Sequence, residues 1–361
     1  MDVYNAFLQG GLVEEVYMTL PDGFCIQGES KGSDIAIFLV YVDDLLITRS
    51  SEVLIAELKH ILNKKFKMKD LGELKYFLGL EVLRSKVGIV LNQRKYGLEL
   101  IEETGAGGAK PAMTPLEQNK KLTTTEYDEA RLIGILIYLT HTRPDIVYAV
   151  HFLSQFMHKP KQSHLEAALR VVKYIKKNPG QGILLSATSE CRIFAYCDSD
   201  WAVCPMTRRY VTGFCVKLGM SLISWKSKKH NTVARSSAEA EYRSMVGTAA
   251  KIVWLRGLLA EMGLKNMAPA KLMCDSKAAL QIAANPVFHE RTKHIKIDCH
   301  FVRENIQEGL IQTEHIKTGE QQADLMTKAL GVHQHEYIVS KLGFKDVFAT
   351  TNLRGREETV N

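Results

Sequence analysis

Several hallmarks of familiar protein classes are missing from this chain. Its seven cysteines (Cys25, Cys191, Cys197, Cys204, Cys215, Cys274 and Cys299) are odd in number, scattered and never spaced C-x-x-C. Neither a disulfide framework nor a zinc site is indicated, which points to a reducing, intracellular compartment. The N-terminus, Met1-Asp2-Val3-Tyr4, has no basic segment followed by an apolar one. The longest apolar run, residues 35–42, falls far short of the ~20 residues that span a bilayer. The expectation is a protein that is neither secreted nor membrane-spanning. No internal repeat is evident, and charge of one sign is not in excess: 47 Lys+Arg against 40 Asp+Glu give +7. That mild bias suits a polyanionic partner without requiring one.

What is present is an ordinary globular composition, 46% hydrophobic and 24% charged, over 361 residues. At roughly 100 to 200 residues per domain, this allows two or three domains. Residues 35–41 and 45–48 read as two short strands separated by Val42-Asp43-Asp44, a hairpin with acids at its tip. Ser50-Ser51 then opens a helix, with Val53, Leu54, Leu58, Ile61 and Leu62 at helical spacing, ending near Gly72. Residues 76–82 and 88–91 form a second hairpin-like pair. From Thr104 to Thr125 the composition turns to Gly, Ala, Pro, Thr and Lys, that of a connector. Residues 127–180 are helical. Beyond Ile193 the pattern strand, strand, strand, helix, strand, helix indicates an α/β domain with a partly antiparallel sheet.

Four acids stand at element ends in that last region. Asp198 closes an apolar strand, Glu241 lies in the first turns of a helix opened by Ser236-Ser237, Asp275 ends another strand, and Asp324 begins a final helix over 323–330. Carboxylates brought together by a fold repel one another and normally need divalent cations to stay ionised. Two Mg²⁺ ions about 3.5–4 Å apart would suit phosphodiester cleavage. One such acid is more often a helix cap; four in order are not so easily dismissed.

The segments Tyr196-Cys197-Asp198-Ser199-Asp200-Trp201-Ala202, Ser236-Ser237-Ala238-Glu239-Ala240-Glu241-Tyr242, Cys274-Asp275-Ser276-Lys277-Ala278 and Ala323-Asp324-Leu325-Met326-Thr327-Lys328 resemble the ribonuclease H domain of copia-type retrotransposon Pol polyproteins. The resemblance implies that Asp198, Glu241, Asp275 and Asp324 are catalytic and bind two Mg²⁺ ions, with Mn²⁺ as a substitute. It also implies that the substrate is the RNA strand of an RNA/DNA hybrid. Asp198 and Asp200 share a strand face, so either can serve as first ligand, and motif register prefers Asp198. Glu239 and Glu241, two apart on a helix, face differently, and register picks Glu241. Lys226, Lys228, Lys229 and Arg235 are candidates for gripping the hybrid backbone, with a solvated hairpin end as the plainer reading. His315, on a strand, is given no catalytic role. His289, Arg291, Lys293 and His294, with His300 and Arg303 beyond, form a second basic cluster that no carboxylate or Cys pair completes as a metal site.

Tyr41-Val42-Asp43-Asp44 resembles the palm signature of reverse transcriptases, and Met1-Asp2-Val3 with Asn5-Ala6-Phe7-Leu8 resembles the strand that brings a further acid. Asp2, Asp43 and Asp44 are thereby candidate ligands of a vestigial polymerase metal site. Asp70-Leu71-Gly72-Glu73-Leu74-Lys75-Tyr76, Thr142-Arg143-Pro144-Asp145-Ile146 and Leu169-Arg170-Val171-Val172-Lys173-Tyr174 extend the likeness. Against the family pattern, one residue precedes Asp2 and only ten, 25–34, stand where the family has a long insert. The expected architecture is therefore α/β and α+β: a truncated palm (1–105), a linker and helical connection (106–190), a ribonuclease H-like mixed-sheet domain (191–330) and a tail (331–361). The expected function is hybrid cleavage with polymerisation lost. An active RNA-directed DNA polymerase and a non-catalytic nucleic-acid-binding remnant are the alternatives. By the same resemblance the partners are an RNA/DNA hybrid and other polyprotein-derived subunits, in a cytoplasmic virus-like particle or the nucleus.

Overall fold

The computed structural model describes residues 36–42, 44–49, 52–65, 69–118, 130–157, 161–188, 190–204, 206–264, 266–284 and 296–348. They fall into two compact units that divide between Asp70 and Leu71. In the first, strands β1 (Ala36–Tyr41) and β2 (Asp44–Arg49) pair antiparallel with Tyr41 opposite Asp44, leaving a two-residue turn. Val42 in that turn has φ 52°, a strained setting for a β-branched side chain. Helix α1 (Glu52–Lys65) follows and is described only to Lys65, short of the expected end near Gly72. Lys59 forms a 2.6 Å ion pair with Asp70.

The second unit carries two five-stranded sheets. Strands β3 (Tyr76–Phe77), β4 (Leu80–Ser85) and β5 (Gly88–Asn92) form an antiparallel meander. The strand expected over 76–82 is broken because Leu78 and Gly79 turn the chain at φ 47° and 73°. Helices α2 (Arg94–Glu103), α3 (Ala130–Leu139), α4 (Val147–Ser154) and α5 (Gln162–Lys177) then build an apolar core around Leu100, Ile133, Leu136, Leu153, Val171 and Ile175. In α5, Ala168, Val171, Val172 and Ile175 recur at helical spacing, which fixes the face that packs inward. Residues 104–116, expected to be an unpacked connector, are in fact tied down. The Lys176 ammonium donates to the carbonyls of Ala106 (3.1 Å) and Ala109 (2.8 Å), and Leu116 joins the same core. Side-chain anchoring here does what apolar periodicity does elsewhere. Strand β6 (Gln181–Ser186) pairs with β5.

The other sheet begins with β7 (Ile193–Asp200), β8 (Val211–Leu218) and β9 (Ser221–Lys229), paired antiparallel. Helix α6 (Ser237–Glu261) leads to β10 (Ala270–Cys274), which lies parallel to β7 on its other side. Helices α7 (Lys277–Ala284) and α8 (Lys296–Gln307) precede β11 (Ile311–His315), parallel to β10, so the order is β11-β10-β7-β8-β9. Helix α9 (Asp324–Thr327) is a single turn, not the longer helix expected over 323–330, because Lys328 is extended at φ −145°, ψ 158°. Helix α10 (Val332–Lys341) and β12 (Phe344–Asp346) follow, and β12 pairs with β6 at the far edge of the first sheet.

One sheet face packs Ile193, Ala195, Cys197, Leu272 and Cys274 against Tyr242, Met245, Ala249 and Ile252 of α6. The opposite face packs Cys215 and Leu222 against Leu325, Met326, Ile338 and Val147, from α9, α10 and α4. Three layers result. Beneath α4 lies a buried pair, Arg143–Asp145 at 2.7 Å, and Asp145 also accepts from Tyr174 Oη (2.7 Å) and Gln181 Nε2 (2.9 Å). Asp145→Ala, which strands the guanidinium, is expected to cost about 3–5 kcal/mol in urea unfolding. A loss under about 1 kcal/mol, the range of exposed pairs, would show that this network does not hold the helices.

Candidate functional site

The four sequence-predicted acids come from β7, α6, the end of β10 and α9. Asp198 lies inside β7, opposite Gly213 of β8, rather than at the strand's end. A Cβ on Gly213 would sit 2.6 Å from Met326 Cβ and 2.7 Å from Thr327 Cγ2, so the absence of a side chain is what lets α9 approach the sheet. That approach brings the Thr327 hydroxyl to donate to Asp198 Oδ2. It also brings Lys328 Nζ to 3.3 Å from Asp198 Oδ2 and 3.0 Å from Asp324 Oδ1.

Glu241 is placed by the start of α6. Ser236 Oγ accepts from the Glu239 N–H (3.1 Å) while Glu239 Oε2 accepts from the Arg235 N–H (2.9 Å), a reciprocal cap. Glu239 is further held by Arg243, and Glu241, two positions on, lies near enough to Asp198 and Asp275 to feel their charges. Deeper in the helix, Ser244 Oγ bonds the carbonyl oxygens of Asp198 (2.8 Å) and Gly213 (3.2 Å), pinning α6 to β7 and β8. Asp275 directly follows β10, and ligand atoms of Glu241, Cys274 and Asp275 all lie within 4.8 Å of one another.

The electrostatics record this crowding. Burial, then the charges of Asp198, Cys274 and Asp275, push the Glu241 carboxyl up to about 10. Burial and Asp198 push Asp324 up to about 7, against the pull of Lys328. Lys328 itself is held protonated by Asp198 and Asp324, although burial opposes its charge. Asp200 is raised to about 6, mainly by burial, and its charge is felt by Tyr148 of α4. Asp198 is 2% exposed and accepts from the Thr327 hydroxyl. One oxygen of Glu241, Oε2, is buried with no hydrogen-bond partner.

Among the candidate nucleic-acid contacts, Lys226, Lys228 and Arg235 are exposed. Lys226 and Lys228 share the face of β9 nearest α6, where Lys226 lies close enough to Lys251 to oppose its charge. Lys229 points the other way and donates to Gln155 Oε1 (2.6 Å). His230 adds no charge: it stacks on Tyr210 at 4.4 Å, and burial with Lys228, Arg243 and Lys226 lowers it to about 4. His315 closes β11 beside Cys274, and Arg303 on α8 donates to the carbonyl of Ile282 (2.8 Å). Asp44 is exposed at the β1–β2 turn, while Asp2 and Asp43, and His289, Arg291, Lys293 and His294, lie outside the described residues. Sequence reasoning assigned no part to Thr327, Lys328, Ser244 or Cys274. The signal for Thr327 and Lys328 was available, since they stand three and four residues after Asp324 and so share its side of a helical turn.

Antiparallel β7–β9 extended by parallel β10 and β11, with helices on both faces, define a mixed-sheet α/β domain. A family model described as reverse transcriptase (RNA-dependent DNA polymerase) matches residues 28–118. The Retrovirus-related Pol polyprotein from transposon RE1 of Arabidopsis thaliana is 38% identical over 95% of this chain, which spans 27% of that relative's length. The Putative transposon Ty5-1 protein YCL074W of Saccharomyces cerevisiae is 31% identical over 64% of this chain and 80% of its own length. The chain belongs to the copia-type retrotransposon Pol polyprotein family. In structure it is similar to LC11-RNase H1 in complex with RNA/DNA hybrid, at TM-score 0.30 and 14% identity over 38% of this chain and 94% of that one.

Glu241 and Asp324 bind their protons more tightly folded than unfolded. Without cations their contribution to stability is therefore full in the acid range and is lost as pH rises from ~4 through about 7 and on toward about 10. In chelator, Tm is expected to fall across that window, and Glu241→Gln is expected to flatten the fall and raise Tm at its alkaline end. An unchanged slope in Glu241→Gln would refute the assignment.

Proposed function

We propose that this chain cleaves the RNA strand of RNA/DNA hybrids by Mg²⁺-dependent hydrolysis, leaving a 3′-hydroxyl and a 5′-phosphate. The observation that carries the reading is the convergence of Asp198, Glu241, Asp275 and Asp324 with a buried, unpartnered oxygen on Glu241. The carboxylate oxygens of these four acids are donors of the kind a hard divalent cation takes, and Lys328 already places a positive charge between Asp198 and Asp324. Asp198, Glu241, Asp275 and Asp324 would hold the ions. When bound, Mg²⁺ supplies the positive charge that favours ionised water and a departing oxyanion.

The chain's own groups do the rest. Thr327 orients one oxygen of Asp198 through its donated hydrogen bond, and Ser244 fixes the backbone that presents it. Lys328 neutralises part of the site's charge and limits repulsion of an incoming phosphate. Lys226, Lys228 and Arg235 offer phosphate contacts along the β9 edge. In this division of labour residues 191–330 carry the chemistry, α3, α4, α5, β6, α10 and β12 supply covering elements, and 1–105 carries the palm-like hairpin. Among the described residues no helix is long and apolar enough to cross a membrane. An intracellular setting, as a virus-like particle component or in the nucleus, belongs to the same proposal, as does assembly with other polyprotein-derived subunits.

The full chain, given a labelled hybrid and Mg²⁺, is expected to cut the RNA strand, and Glu241→Gln or Asp275→Asn to reduce cutting to background. Cleavage surviving either substitution rejects the site; hybrid binding without any cleavage would favour a non-catalytic binding protein. Lys226→Ala and Lys228→Ala are each expected to lower the slope of log affinity against log salt by about 1, equally across hybrid sequences. Unchanged slopes would place the hybrid elsewhere.

A further inference from the structure

The carboxylate cleft has a sulfur wall. Cys274 is fully buried at the end of β10, immediately before Asp275, and its neighbour across the sheet is Cys197 of β7, also fully buried. The β7–β10 ladder runs through Met273–Tyr196, one residue short of the two cysteines, and the Cys197 thiol donates to the Met273 carbonyl (3.6 Å) while the Cys274 thiol donates to that of Ser276 (3.9 Å). Both face α6, and Glu241 is the α6 side chain whose oxygen lies within 4.8 Å of the Cys274 sulfur and of an Asp275 oxygen. The Glu241 Oε2 atom, buried without a hydrogen-bond partner, is a second sign that a ligand is accommodated between these groups.

A sulfur and two carboxylate oxygens around a common point are a poor set for Mg²⁺, which takes oxygen alone, and a good one for a borderline or soft cation. With metal–sulfur and metal–oxygen bonds of about 2.3 and 2.1 Å, tetrahedral zinc ligands stand roughly 3.5 Å apart, which small side-chain rotations reach from the present spacing. We propose that Cys274, Glu241 and Asp275, backed by Cys197, form a thiolate-bearing subsite for a thiophilic divalent cation such as Zn²⁺ or Cd²⁺. On binding, the cation replaces the Cys274 thiol proton and the Glu241 carboxyl proton, both of which pass to solvent. The proposal shares two carboxylates with the cleavage reading but does not rest on it. The cation would occupy those ligands and exclude Mg²⁺ from them, so the site discriminates against hard cations whenever a soft one is present.

The test uses the reduced, chelator-treated full chain, without Mg²⁺ or nucleic acid, titrated with Cd²⁺ alone while the ultraviolet thiolate-to-cadmium charge-transfer band is followed. A tight, saturable phase is expected in the parent chain and in Cys191→Ser, which removes an exposed thiol elsewhere. Cys274→Ser is expected to abolish that phase, and Glu241→Gln to weaken it at least tenfold. Absence of the tight phase in the parent chain, or its persistence in Cys274→Ser, overturns the proposal. Should Cys274→Ser lose its native circular dichroism, Glu241→Gln decides, and an unchanged tight phase there overturns it equally. Because no hybrid is present, failure of RNA cleavage and failure of cadmium binding are read separately.

Discussion

Like charges held close together in a partly dehydrated cleft are the constraint on which this architecture turns. Two carboxylates about 4 Å apart repel by about 4 kcal/mol at an effective dielectric of 20, and this site assembles four from separate elements. The chain meets that repulsion in two ways. Glu241 and Asp324 hold their protons well above the usual carboxylate range, and Lys328 places its ammonium between Asp198 and Asp324. The placing of Asp324 and Lys328 requires α9 to lie against β8, and a side chain at residue 213 would clash with Met326 and Thr327 there. A backbone position opposite the first acid thus governs where the fourth acid, its threonine and its lysine stand.

Elements outside the carboxylate-bearing sheet keep that contact in place. The face on which α9 sits is shared with α4 and α10, through Val147, Leu325, Met326 and Ile338. Polar bonds run across the same seam: Trp225 Nε1 donates to the Thr140 carbonyl (3.1 Å), and the Lys229 N–H donates to His151 Nε2 (2.9 Å). Lys217 Nζ reaches the carbonyl of Lys341 (2.9 Å), at the end of α10. The pairing of β12 with β6 draws the residues after α10 into the first sheet. Elements before β7 and after α9 are therefore structural partners of the cleft, although they contribute none of its four acids. The buried Arg143–Asp145 pair holds the turn from which α4 starts.

Much of this was legible in the amino-acid order because the signals are local. Alternation marked β7, β8 and β9, the Ser236-Ser237 cap marked the start of α6, and the four acids carried the motif context that singled them out as candidates. What was not legible depends on contacts between distant residues. The packing of 104–116 relies on Lys176, about seventy positions away, and nothing in a Gly- and Pro-rich stretch announces that anchor. α9 stops where Lys328 takes up an extended backbone, and the pairing of Lys328 with Asp198, distant in sequence, is again a non-local contact. Residues 76–82 read as one strand because a turn at positive φ needs no distinctive composition when a leucine occupies one of its positions.

Conflict between local rule and structure is itself informative. Buried acids without a complementary charge for each are locally unfavourable, and the chain retains them at the one place where four elements converge. Stability and site chemistry pull in opposite directions there: a glutamine at 241 would relieve the repulsion but remove a donor that a cation requires. The thiols sharpen this argument. A sheet interior needs only small apolar side chains beside Ala195 and Leu272, and Cys197 and Cys274 meet that need as packing residues. Their sulfur atoms nevertheless border the carboxylates, so the packing choice alters the chemistry of the cleft. A valine or alanine at 274 would pack comparably and leave a purely oxygen-lined site, whereas cysteine makes the same position sensitive to the softness of the cation that enters it.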